Sequence, residues 1–236
     1  MMTYAGYILG FPSDTLESII RDIETIQREL PIDLLEFMIL TPLPGCENHK
    51  NLYLKQVPMD PDMNKYDLEH VTTAHPLMPA QELGDIYQRA WRHYYSDRHI
   101  ETILRRAMAT GFNPKKMADM LTLFSGAVRY ESVHPLQVGV MRRRVPTQRR
   151  HGMPIESALT FYPRRLAEMA SGAAAWASMA WRYRRILKRV MSDPDRLSYV
   201  DDALRAGEGD QAEFVHAYAS QLTPMQRAAV RTLAAE

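Results

Sequence analysis

The chain has 236 residues and a mass of 27.2 kDa, enough for one large domain or two small ones with a buried core. Hydrophobic residues at 46% and charged residues at 24% exclude a disordered tail, a collagen or a low-complexity segment. A formal net charge of +1 excludes a whole-protein electrostatic footprint for nucleic acid, and a single cysteine, Cys46, excludes a disulfide framework or a multi-thiolate metal site built within this chain.

Ala5 to Phe11 (AGYILGF) is an apolar run too short for a buried helix and closed by Pro12, which predicts a buried strand. It lacks the basic leader of a secretory signal, so a cytoplasmic protein is expected. Asp14 and Glu17 fit a capping pair, and Leu16, Ile19, Ile20, Ile23 and Ile26 then recur at helical spacing up to Leu30. Asp33 to Leu40 (DLLEFMIL) predicts a second strand, stopped by Thr41-Pro42-Leu43-Pro44-Gly45. A strand, a crossover helix and a strand are normally one slice of a parallel sheet. Cys46 to Asn64 reads as irregular. Helical periodicity follows over Ala80 to Tyr95, Asp97 to Thr110 and Pro114 to Tyr130. A loop from Val133 to Pro154 carries Arg142, Arg143, Arg144, Arg149 and Arg150, and helices are expected over Glu156 to Met191 and Gln211 to Ala234. The expected fold is mainly α with a short amino-terminal β-α-β unit.

Gly6-Tyr7-Ile8-Leu9-Gly10 on the first strand, followed by Phe37 to Gly45 (FMILTPLPG) on the second, resembles the closing strands of radical S-adenosylmethionine enzymes. Met59 to Val71, His75-Pro76, Tyr87, Ala90-Trp91 and Tyr94-Tyr95 look like the carboxy-terminal extension of the cobalamin-binding-type subgroup. The resemblance implies the last strands of a partial (β/α) barrel over residues 1–45 and a helical extension over 46–236. It implies that Gly6, Ile8, Gly10 and Leu40 lie against the adenine of S-adenosylmethionine. Glycine lets a strand backbone approach a flat ring, and isoleucine offers it a dispersion surface. The family's acidic position after the second glycine is read at Ser13, a departure from the pattern.

The family cuts its cofactor with a 4Fe-4S cluster held by a Cys-x-x-x-Cys-x-x-Cys loop, and such clusters need thiolates. One cysteine cannot supply them. The chain is therefore expected to be the carboxy-terminal part of such an enzyme, with no catalytic or metal-binding residue of its own. Its partner is a missing amino-terminal half or a complementary chain. Cofactors of the parent are S-adenosylmethionine, the cluster and, by subgroup, cobalamin, none held by this chain alone. An unknown small molecule is the substrate.

A second reading, from a different class, is a non-catalytic helical module or auxiliary subunit that docks through an exposed strand edge. His70 and His75 lack a standard metal-ligand spacing and are expected to tie the irregular loop to the helices. The arginine loop lacks aromatic residues interleaved for base stacking, so a solvated loop paired with acidic surface of the same molecule is expected and no nucleic-acid partner, with an arginine-loop nucleic-acid binder as a third reading. Met169 to Trp181 is uncharged over 13 residues, short of the roughly 20 that span a bilayer. Its flanking arginines leave contact with a membrane surface as an alternative to burial in the bundle.

Overall fold

A computed structural model describes residues 2–205, except 132, 136, 137, 140–143 and 148–153. The expected helix Gln211 to Ala234 lies outside the described residues, as do Arg142, Arg143, Arg149 and Arg150. Two strands, β1 (Tyr4–Leu9) and β2 (Leu34–Ile39), flank helix α1 (Leu16–Glu29) and pair in parallel, with Gly6 opposite Glu36 and Ile8 opposite Met38. Five further helices follow: α2 (Glu47–Leu54), α3 (Ala80–Tyr94), α4 (Asp97–Ala109), α5 (Pro114–Gly126) and α6 (Ala158–Ser192). The chain is mainly helical, with a short two-stranded parallel unit at its amino terminus.

Three features depart from the periodicity. Cys46 to Asn64 is not wholly irregular: the Cys46 thiol accepts the His49 N–H and caps α2, a helix with no buried residue and therefore no apolar stripe to announce it. The cap of α1 is Thr15, not Asp14. Thr15 and Ser18 exchange side-chain and backbone bonds in a capping box built by two hydroxyl residues. Past Gly126, residues Ala127–Glu131 widen into a π-helical turn that ends the predicted third helix.

One face of the sheet is packed. Tyr7, Leu9, Leu35, Phe37 and Ile39 lie under α1 and α3, where Ile19, Ile23, Ile86 and Ala90 are fully or almost fully buried. Phe37 is edge-on to both Trp91 and Tyr94, with centroids 5.5 and 6.1 Å away, so the second strand is locked to α3 by aromatic contacts. The same core continues through α4, α5 and the second half of α6, where Tyr183, its hydroxyl bonded to Ser125, is fully buried.

Two buried polar residues fix the connections. The Arg106 guanidinium on α4 donates to the Gln27 and Leu30 carbonyls at the end of α1 and to Asp201, satisfying acceptors that a helix end leaves free. Its neighbour His99 packs on the Tyr94 ring, 4.6 Å between centroids, with Nε2 buried and lacking a hydrogen-bond partner. Burial, and next the Arg106 charge, hold the His99 pKa down to about 3 from its ordinary 6.5.

Tyr95 is completely buried, and its hydroxyl both donates to the Leu35 carbonyl and accepts the Leu35 N–H, at 2.9 and 3.1 Å. Tyr95→Phe leaves both backbone groups unpaired in the interior, so urea denaturation should show a loss of about 2 kcal/mol; an unchanged midpoint would contradict that role. Because folded His99 is neutral while the unfolded imidazole protonates below about 6.5, its contribution is complete above that pH and is lost as pH falls toward about 3. His99→Leu should flatten the drop in urea midpoint between neutral and mildly acid solution.

Candidate functional site

Backbone direction in the strand pair follows from two hydrogen bonds. Leu34 donates to Thr3 and Leu40 to Leu9, so with this register Ala5, Tyr7 and Leu9 direct their backbone groups at β2. Tyr4, Gly6 and Ile8 direct theirs away from it. No partner for those N–H and C=O groups is found among the described residues. The outer edge of β2 is closed at both ends instead: Tyr95 brackets Leu35, and Ile39 donates to the Leu68 carbonyl at 2.7 Å and accepts the Thr41 hydroxyl, while for the buried Phe37 between them no backbone partner is found among the described residues.

The side chains of the same alternate residues form the second face of the sheet. Its beginning is covered only on the β2 side: Leu34 is buried, while Tyr4 meets Phe124 of α5 edge-on at 6.0 Å and stays 55% exposed. Its far half is not covered. Gly6 is exposed, Ile8 is 42% exposed and Met38 is half-buried, with the Met38 methyl lying where a Gly6 side chain would start. Leu40 is half-buried at the end of β2.

Gly10 differs from its three companions. It is buried, with φ of +96°, and a Cβ there would lie 3.3 Å from Leu83 of α3. Glycine is required for that left-handed turn. The turn is held by Asp14, whose carboxylate accepts the N–H of Gly10 at 2.8 Å and of Phe11 at 2.9 Å. The carboxylate of this segment is therefore supplied one place after Ser13 and serves the backbone. Of the four residues read as an adenine surface, Gly6 and Ile8 share the open face, Leu40 stands at its end, and Gly10 shapes the exit from β1.

A polar group beside this face had no signal in the sequence. Glu36, opposite Gly6 in the register and buried, pairs with the His134 imidazole, and the Glu69 carboxylate lies within reach of both His134 and His70. Burial, then the Asp67 charge, raises the Glu69 pKa above the usual carboxylate range. The pair is a fixed polar contact next to a surface that is otherwise apolar.

The histidines of the irregular loop have structural partners. His75 donates from Nε2 to the Phe11 carbonyl at 2.7 Å and accepts the Leu77 and Met78 N–H groups on Nδ1, tying the loop to the end of β1. His70 pairs with Asp67. Among the described residues no cluster of three or more metal-ligating side chains occurs, and no helix is long and apolar enough to cross a membrane. Arg144 of the arginine loop is exposed. Compared with protein-family models, with curated proteins and with solved structures, the chain matches none.

Proposed function

We propose that this chain is the carboxy-terminal part of a radical S-adenosylmethionine enzyme, in which β1 and β2 close the adenine side of the cofactor pocket. The observation that carries this is the asymmetry of the sheet. Its β2 edge is capped at both ends by Tyr95 and Leu68 over buried residues, while its β1 edge carries unfilled ladder positions at all of Tyr4, Gly6 and Ile8, beside the uncovered Gly6 and Ile8. A final strand pair of a half-closed barrel needs that pattern: helices on the outer face, a ligand on the inner face, and earlier strands on one edge only. Those strands would come from a preceding segment or from a complementary chain.

S-adenosylmethionine cut reductively by a 4Fe-4S cluster would supply the hydrogen-abstracting chemistry. The cluster does not fit this chain, whose one thiol is spent on the cap of α2. Ile8 would offer the purine a dispersion surface, Gly6 would admit it close to the backbone once the Met38 tip swings off it, and the Glu36–His134 pair would present a polar contact beside the ring. A second reading, a non-catalytic module, uses the same open edge to add a strand from another protein.

Saturation-transfer NMR of the full chain with 5′-deoxyadenosine separates the two. The enzyme reading predicts transfer to the adenine protons and a severalfold loss in Gly6→Leu, which fills the open face where only the flexible Met38 tip must move. Circular dichroism of that variant should stay native. Absence of transfer from the native chain, or equal transfer from Gly6→Leu, would overturn the adenine role and leave the module.

A further inference from the structure

α6 has two apolar faces, and the body of the protein uses one. Met179, Tyr183, Ile186, Leu187 and Val190 are buried against α4 and α5. On the opposite side Leu159, Leu166 and Trp181 are 88%, 65% and 62% exposed, and Ala170, Ala173 and Ala177 between them are exposed as well. These positions recur at three- and four-residue spacing over about 33 Å of helix. A hydrophobic strip of that length on a solvent face marks an interaction surface.

We infer that this face pairs with α6 of a second copy of the chain, antiparallel, about a two-fold axis at Ala170. An antiparallel helix pair sets residues equally far before and after the axis against each other. Leu159 then meets Trp181 of the second copy and Leu166 meets Ala174, so large side chains oppose small ones or fill the ends. The alanines around the axis let the two backbones come close. Charge follows the same symmetry. Glu156, just before the helix, comes opposite Arg184 of the second copy, with Arg185 and Lys188 alongside. Glu156 already holds Arg164 of its own chain at 2.7 Å, so it would be shared between two guanidinium groups. Reversal thus brings the one carboxylate of the strip, paired with Arg164, to the end of the second copy where Arg184, Arg185 and Lys188 stand.

The inference is independent of the proposed enzymatic role. Light scattering of the full chain at tens of micromolar should give twice the 27.2 kDa chain mass, and Leu166→Glu, at an exposed site, should give the single mass with native circular dichroism. In a Cys46→Ser background, Ala170→Cys should form a disulfide-linked dimer on mild oxidation, whereas Leu159→Cys should not, because only the residue at the axis meets its own copy. A native chain of single mass would overturn the proposal, as would a dimer that survives Leu166→Glu or equal cross-linking by both cysteines. Flotation of a single-mass chain with phosphatidylserine vesicles, lost in Leu166→Glu, would assign the strip to lipid instead.

Discussion

Two parallel strands cannot satisfy their own outer backbone groups, and a buried or half-buried edge must find donors and acceptors elsewhere. On the β2 side a single phenol closes the first of these positions and the following loop closes the last. Tyr95 reaches across from the end of α3 and closes the N–H and C=O of Leu35, with the Leu68 carbonyl finishing the edge at Ile39. Nothing equivalent among the described residues closes Tyr4, Gly6 and Ile8. The position of Tyr95 thus decides which edge of the sheet is an end and which is an opening, and the functional reading rests on that difference.

The residues that enforce the closure also join the sheet to the helices. Trp91, Tyr94 and Tyr95 follow one another along the last turn of α3; two of them pack on Phe37, and the Tyr94 hydroxyl donates to the Ile32 carbonyl just before β2. Gln27 of α1 donates to the carbonyls of His93 and Tyr94, and Arg106 of α4 grips the end of α1. Strand, crossover helix and bundle are therefore held by one continuous core, and the inner sheet face is left as the surface these contacts do not fill.

Much of this was legible in the residue order, because hydrophobic period is a local property. Ile19 and Ile23 announced α1, the runs at Ala5 and Asp33 announced the strands, and the long apolar spacing after Glu156 announced α6. Features that depend on contacts distant in sequence were not legible. His134 meets Glu36 across 98 positions, and no spacing rule links them. Cys46 as a helix cap and Ser18 as the returning partner of Thr15 fall outside the usual capping alphabet, so residue order does not reveal α2 and points to Asp14 instead of Thr15 at the start of α1. The carboxylate of Asp14 found other work on the Gly10 turn, a role that needed the left-handed backbone to be seen.

Amide hydrogen exchange of the full chain tests the asymmetric sheet most directly. The Tyr4, Gly6 and Ile8 N–H groups, which face away from β2, should exchange orders of magnitude faster than those of Leu35, Ile39 and Leu40, which are bonded within the fold. Protection of Gly6 and Ile8 equal to that of Leu35 would mean that the edge is already filled within this chain, and the opening on which the proposed function depends would not exist.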